Sequence, residues 1–379
     1  MTRKLRLGMV GGGQGAFIGD VHRMAARLDG EWELVAGALS SDPARAMASA
    51  RDLGLAPDRS YASFEDMAKT EAARPDGIDA VAIVTPNHMH AAPCIAFLRQ
   101  NIHVICDKPL TATLEQAAEI AKAAQASTAQ FFLTHNYTGY PLIRQARDMV
   151  KAGDLGDIRL VQVEYAQDWL TEEVSNKQAD WRTDPARSGA GGCVGDIGTH
   201  AYNIARFVSG LTVESLSAEL TSFVPGRALD DNVQAKLRFA GSARGSLWAS
   251  QVAVGNENGL RLRIYGSKAG LDWAQENPNV MTFTRFGEAK QILTRGGAVA
   301  NDSNHAAARV PAGHPEGYLE GFANLYRDAA AAIRAQQDNK SIPVENLVSL
   351  EDGLDGMRFI QACVQSSENN GAWTRLADV

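Results

Sequence analysis

The feature that most constrains this chain is its opening stretch, KLRLGMVGGGQGAFIGDVHRMAARL. From Lys4 to Val10 the residues alternate and then run apolar (Leu5, Leu7, Met9, Val10), the pattern of a buried parallel strand. Gly11-Gly12-Gly13-Gln14-Gly15-Ala16 follows directly, and beyond it Ile18, Val21, Met24, Ala25 and Leu28 recur at helical spacing. Strand, glycine turn and helix in that order open a βαβ unit. The register Gly11, Gly13 and Ala16 fits the G-x-G-x-x-A form. Gly11 then makes the tight turn, Gly13 lets a pyrophosphate approach the backbone, and Ala16 keeps the helix close to the strand. The amide-rich start of that helix, with Gln14 and Gly15 leading into it, faces the phosphates.

A chain of 379 residues has room for two domains. With 45% hydrophobic and 21% charged residues it has ample material for a core. A net charge of -7 without a basic cluster argues against nucleic acid or an anionic membrane as partner. Cys94, Cys106, Cys193 and Cys363 are far apart, with no C-x-x-C pair, which fits a reduced, cytoplasmic setting. No apolar segment precedes the first strand and no run reaches eighteen apolar residues, so neither a signal peptide nor a membrane span is expected.

Glu31 to Leu39 reads as the second strand. An acid just past it would bind the adenosine ribose and repel a 2′-phosphate. This chain has Ser40 and Ser41 there, with Arg45 shortly after, a setting that suits NADP or dual use better than strict NAD. Asp42-Pro43 reads as an N-cap and first-turn proline. Asp79 to Val84 is a further buried strand, and Thr85, Pro86, Asn87 and His90 follow it at the carboxyl edge, where ligands bind. Asn87 and His90 are read there as reaching the cofactor or bracing the site. Ile102 to Cys106 is the next strand and ends in Asp107-Lys108-Pro109.

The G-x-G-x-x-A turn, the TPNHMH loop and the CDKP tetrapeptide together resemble the Gfo/Idh/MocA family, named for glucose-fructose oxidoreductase, inositol dehydrogenase and a rhizopine catabolism protein. That family usually has Glu-Lys-Pro where this chain has Asp107-Lys108-Pro109; the carboxylate and the lysine are kept. The resemblance runs to the C-terminus. It implies an N-terminal Rossmann domain, a doubly wound parallel sheet over residues 1–136. It also implies a C-terminal α+β domain, 137–379, with an open sheet that packs against another subunit. The residues agree. Phe131 to Asn136 reads as the last strand of the first domain. A helix from Leu142 to Ala152 ends at Gly153. Ile158 to Tyr165, Val213 to Phe223, Val233 to Phe239, Ala243 to Val254 and Leu260 to Tyr265 then read as strands of a largely antiparallel sheet. A helix from about Gly317 to Gln336 lies near the end.

In the second domain Gly189-Ala190-Gly191-Gly192 leads to Asp196 and His200, four apart, a spacing that puts both on one face of a helix. The family's catalytic D-x-x-x-H pattern maps onto them. With Lys108 they supply what hydride transfer at a carbinol needs, a group to take the hydroxyl proton while the nicotinamide takes the hydride. Histidine accepts a proton near neutral pH without large tuning, and a partly desolvated lysine shares one with the substrate oxygen. Either Lys108 or His200 serves as the base, and Asp196 binds substrate or orients its neighbours. A lysine at this place disfavours a divalent ion, so no metal is expected.

Trp169, Trp181 and Arg182 are candidate substrate residues, aromatic faces beside polar forks being suited to sugar rings. In the family a loop at the place of His314 lines the pocket. The expected activity is an NAD(P)-dependent oxidoreductase acting on a secondary hydroxyl, or the matching ketone, of a sugar, inositol or related polyol, as a homodimer or homotetramer. Two other readings stay open: a glycoside-cleaving enzyme that recycles its cofactor by oxidation, elimination and reduction, and a non-catalytic dinucleotide sensor.

Overall fold

The computed structural model describes residues 3–174, 177–341 and 344–379. The chain divides into two compact units, Met1–Asn136 with Phe322–Leu354, and Tyr137–Gly321 with Asp355–Val379. Where the sequence reading ran one segment over 137–379, residues Phe322–Leu354 pack with the first unit.

The first unit alternates strand and helix: β1 (Leu5–Gly11), α1 (Phe17–Leu28), β2 (Trp32–Ala38), α2 (Pro43–Asp52), α3 (Phe64–Ala73), β3 (Ala80–Val84), α4 (Ala91–Leu98), β4 (His103–Cys106), α5 (Leu114–Gln125) and β5 (Phe131–Leu133). Among the described residues its sheet has the order β2-β1-β3-β4-β5, and all pairings are parallel. The order reverses at β1, so the crevice beyond its carboxyl end opens at the glycine turn. All five residues of β3 are buried, as a strand covered on both faces requires.

The second unit holds α6 (Pro141–Lys151), β6 (Ile158–Ala166), α7 (Lys177–Arg182), α8 (Pro185–Ser188), α9 (Thr199–Ser209), β7 (Val213–Thr221), β8 (Asn232–Phe239), β9 (Arg244–Ser250), β10 (Gly259–Gly266), β11 (Ala269–Ala274), β12 (Val280–Arg285), β13 (Gln291–Thr294) and α10 (Asp302–Ala307). The helices α11 (Tyr318–Gln337) and α12 (Leu350–Glu368) and the short β14 (Thr374–Arg375) complete the chain. Among the described residues the sheet order is β13-β12-β11-β10-β6-β9-β8-β7-β14. It is antiparallel except for the pair β6 and β9.

Strand alternation decides which face α9 covers. Val161, Val163, Tyr165, Leu247, Ala249 and Gln251 are buried on the inner face, and α9 packs against β6 and β10. The outer face carries Gln162, Glu164, Ser246 and Trp248, with Arg263 and Glu164 3.1 Å apart. No helix among the described residues is long and apolar enough to cross a membrane.

Candidate active site

The turn after β1 needs glycine for two separate reasons. Gly11, Gly12 and Gly15 have φ of 81°, 72° and 73°, a region that side chains avoid. Gly13 has an ordinary φ, but a Cβ there would lie 2.6 Å from the Leu39 carbonyl oxygen and 2.7 Å from Ser49 Oγ. A close approach of α1 to the turn is made at Gly12 and Gly19: a Cβ on Gly19 would sit 2.4 Å from Gly12 Cα. Ala16 instead occupies the N-cap of α1 and gives it no side-chain cap. By contrast Asp42, Ser63 and Thr113 cap α2, α3 and α5. The first amides of α1 thus take no side-chain cap from Ala16, an arrangement that fits the phosphates of a dinucleotide.

Beyond β2, Ser40 Oγ accepts from the Asp42 amide at 3.1 Å, and the Asp42 carboxylate caps α2 through the Arg45 amide at 2.7 Å. Ser41 and Arg45 are exposed, and Ser40 is half-exposed. A ribose or its 2′-phosphate would meet hydroxyls and a guanidinium here. Beyond β3, Thr85 Oγ1 donates to the Met89 carbonyl at 3.0 Å, while Pro86 is half-exposed and Asn87 is buried. His90 is buried with its Nε2 2.8 Å from the Thr85 carbonyl and its Nδ1 3.0 and 3.2 Å from those of Pro109 and Leu110. It braces the loop after β3 against the segment that carries Lys108.

Lys108 is half-buried, and its peptide bond to Pro109 is cis. Asp107 accepts the Thr134 hydroxyl at 2.8 Å, and His22 Nε2 lies 3.8 Å from its Oδ1. Burial opposes its charge, but His22, Lys108 and His90 outweigh that and hold its carboxyl well below the usual range. His135 is buried and pushed down to about 3, by burial first and then by Lys108. It is neutral at working pH.

In the second unit Asp196 lies in a single π-helical turn, Val194–Gly198, that runs into α9, and His200 is in the first turn of α9. Such turns recur at functional sites. Asp196 accepts from Arg182 Nε at 3.2 Å and from Gln251 Nε2 at 2.9 Å. Arg182 therefore pairs with Asp196 and stacks 4.2 Å over the Trp181 ring; Asp184 caps α8 instead. His200 is buried, with the Tyr137 ring edge-on at 4.8 Å.

Around them runs a polar network of which sequence reasoning singled out only Trp169. The hydroxyls of Tyr137 and Tyr165 are 2.5 Å apart, and Tyr165 donates to Asn258 Oδ1 at 2.7 Å. Gln167 Nε2 donates to the same oxygen at 2.9 Å, and its Oε1 takes the Trp169 indole N–H at 3.0 Å. Burial keeps both tyrosines protonated, their hydroxyls available as donors. His314 is exposed, its loop anchored by the buried Arg295, which donates to the carbonyls of Val310, Pro311 and His314. Among the described residues no group of three or more His, Cys, Asp or Glu side chains is arranged to hold a metal ion.

Comparison with known proteins agrees with this architecture. Residues 5–135 match the profile of the oxidoreductase family with an NAD-binding Rossmann fold, and residues 143–272 that of the GFO/IDH/MocA C-terminal domain. A solved oxidoreductase from Sinorhizobium meliloti is 55% identical, with 98% of this chain and 100% of that one covered and a TM-score of 0.90. An inositol dehydrogenase homologue from Azotobacter vinelandii, solved with NADH and myo-inositol, is 36% identical over 99% of this chain and 98% of that one, with a TM-score of 0.92. An uncharacterised oxidoreductase of Bacillus subtilis is 35% identical over 99% of this chain and 98% of its own length. The fold is that of a dinucleotide-dependent oxidoreductase. The chain belongs to the Gfo/Idh/MocA family.

Proposed function

We propose that this protein is an NAD(P)-dependent dehydrogenase of a cyclic polyol or sugar, oxidising a secondary hydroxyl or reducing the matching ketone. The observation that carries the reading is the surroundings of Asp196 and His200. A carboxylate and an imidazole share one polar neighbourhood with the hydroxyls of Tyr137 and Tyr165, the amides of Gln167 and Asn258 and the Trp169 indole. Convergent hydroxyls and amides beside an aromatic face suit a ring bearing several hydroxyls. Similarity to the inositol dehydrogenase homologue supports an inositol-like substrate.

Residues 1–136 bind the dinucleotide, through Gly11, Gly13, Gln14, Gly15 and Ala16 at the phosphates and Ser40, Ser41 and Arg45 at the adenosine ribose. Thr85, Pro86, Asn87 and Lys108 lie further along it. The cofactor, when bound, supplies the hydride acceptor. The second unit, Tyr137–Gly321 with Asp355–Val379, binds substrate and mediates assembly. Lys108 or His200 takes the hydroxyl proton as the alkoxide develops, and Asp196 holds the substrate hydroxyl or orients that base. Trp169, Trp181, Arg182 and His314 contribute to substrate binding. The serines and Arg45 make the protein accept NADP as well as NAD.

A panel of inositols, aldoses and glycosides, run with both cofactors, tests the proposal. A stoichiometric rise of reduced cofactor with a polyol is the expected result. Aglycone release without net reduction would replace it with the recycling glycosidase reaction, and binding without turnover would replace it with the sensor. The outer face of the large sheet, with Leu160, Trp248 and Tyr265, mediates a homodimer or homotetramer. Light scattering that gives a monomer at micromolar concentration would refute this assembly.

A further inference from the structure

The turn that carries Asp196 is held from a distance. Backbone amides at the start of a helical turn lack partners within it and need acceptors elsewhere. Here they find one residue. The Gly192 N–H donates to Asp230 Oδ1 at 2.6 Å, the Val194 N–H to Asp230 Oδ2 at 2.8 Å, and the Cys193 N–H to the Asp230 carbonyl at 2.8 Å. The approach is so close that a Cβ on Gly192 would lie 2.3 Å from the Asp230 carbonyl oxygen. Glycine at 192 is a requirement of this cap.

The next residue fixes the other side of the site. Asp231 is fully buried and accepts the Phe223 and Val224 amides and, at 3.1 Å, the Arg227 guanidinium. Its carbonyl accepts the Gln251 N–H at 2.8 Å, and Gln251 Nε2 donates to Asp196 at 2.9 Å. One dipeptide thus holds both the turn that bears Asp196 and the amide that binds its carboxylate.

We infer that Asp230 is a positioning residue for the reaction, its ionised carboxylate fixing the Gly192–Val194 amides so that Asp196 and His200 are held in their working orientation, and its protonation loosening them. The inference rests on the assignment of Asp196 and His200 to the chemistry. A neutral carboxyl keeps one good acceptor oxygen, so one of the two side-chain bonds is lost on protonation. The titratable and charged groups around Asp230 are Asp231 beside it, Cys193 and Asp196 on the turn, Cys363 on α12, and Arg227, which Asp231 engages. Burial, resisted by the two amide bonds and reinforced by Asp231, pushes the Asp230 carboxyl up to about 6. The two amide bonds favour the ionised form, so an opening of the turn that breaks them while Asp230 stays buried is favoured by its protonation, and the loss falls in mildly acidic solution.

Hydrogen exchange over residues 190–200 of the full chain, corrected for intrinsic rates, tests this between pH 7.5 and pH 5, in wild type and in Asp230→Asn. Wild type should lose roughly tenfold or more of its protection across that range, the loss expected for a hydrogen bond to a charged acceptor. Asp230→Asn should be poorly protected at both ends, without the step. In single-turnover hydride transfer at pH 7.5 it should be roughly ten- to a hundredfold slower, with dinucleotide affinity unchanged. A wild type with flat protection, or an Asn variant as protected as wild type, overturns the proposal; the first of these needs no variant to fold. Exchange that behaves as expected while hydride transfer is unaffected overturns the catalytic half. Should wild type show the step but oxidise no polyol at all, the reading of the site falls and takes that catalytic half with it.

Discussion

The Nδ1 atom of His22 lies 2.7 Å from the Tyr326 hydroxyl, 304 positions away in the chain. His22 is fully buried on α1, where the Phe322 ring stands edge-on to it at 4.7 Å, and the Trp32 indole N–H donates to the Tyr326 carbonyl at 2.9 Å. Burial and the nearby Asp107 keep the phenol protonated, and His22 Nε2 faces the Asp107 carboxylate at 3.8 Å; with the ring proton on that side, the phenol donates to Nδ1. These contacts explain why Phe322–Leu354 packs with the first unit.

Tyr326→Phe should therefore destabilise the protein by about 1–3 kcal/mol, since a buried ring nitrogen loses its donor and no water replaces it. Thermal unfolding checks it. A midpoint lowered by several degrees is expected, and an unchanged midpoint would mean that the bond contributes nothing net.

Much of the architecture could be read from the chain because it is encoded locally. The run from Leu5, the glycine turn and the spacing of Val21 and Ala25 specify β1 and α1 with neighbouring residues alone. Asp42 caps α2 and Gly153 takes φ of 79°, both as local chemistry requires. What the chain hid is non-local. Arg182 pairs with Asp196 across 14 positions and Gln251 across 55, and no periodicity marks either partner. Gly19 packs closely against Gly12, a contact that only the fold reveals. Strands β11, β12 and β13 (AGLDWA, VMTFTR and QILT) carry only two or three large apolar residues each, too few for alternation to stand out. Val161, Leu247 and Gln251 belong to the core, because α9 lies over that face of the sheet, a relationship that strand alternation alone does not reveal.

Acid should weaken the first unit through its buried histidines. His135 is pushed down to about 3, and burial also lowers His90 and His103. Above about pH 6.5 these rings are neutral in both folded and unfolded chains. Below it the unfolded chain binds protons that the folded one refuses, so stability present at neutral pH is lost as pH falls towards 3. Asp230, raised to about 6, acts in the opposite sense over part of that window, one group against three. Urea unfolding at pH 7 and pH 5 should show the decline. His135→Gln should reduce it by up to about 1.4 kcal/mol per pH unit; an equal decline in the variant would show that His135 is not the source.

Cofactor choice should follow the residues after β2. The one acid there, Asp42, is engaged as the α2 cap, whereas the exposed Arg45 guanidinium has no hydrogen-bond or ion-pair partner among the described residues. Fluorescence titration should find NADP and NAD bound within about tenfold of each other, or about 1.4 kcal/mol. Ser40→Asp should weaken NADP selectively by placing a charge against its 2′-phosphate. A wild type that prefers NAD a hundredfold, about 2.7 kcal/mol, would contradict the proposal.

Catalysis should separate from cofactor binding in Lys108→Ala and His200→Ala. Neither residue belongs to the glycine turn between β1 and α1, where the phosphates would bind, so dinucleotide affinity should survive both changes. Loss of a positioned acid or base typically costs about 10²–10⁴ in rate. Since the two are proposed to handle one proton, the double variant should be little slower than the slower single one. Asp196→Asn removes the charge that Arg182 pairs with at 3.2 Å but keeps an oxygen for the Gln251 amide, so it should fall between wild type and the alanine variants. The measurement is single-turnover hydride transfer with cofactor bound in advance and saturating, which excludes product release from the observed rate. If both alanine variants transfer hydride at near wild-type rates, the proton is handled elsewhere. The tyrosine pair Tyr137–Tyr165, hydrogen-bonded beside His200, would then be the next place to substitute.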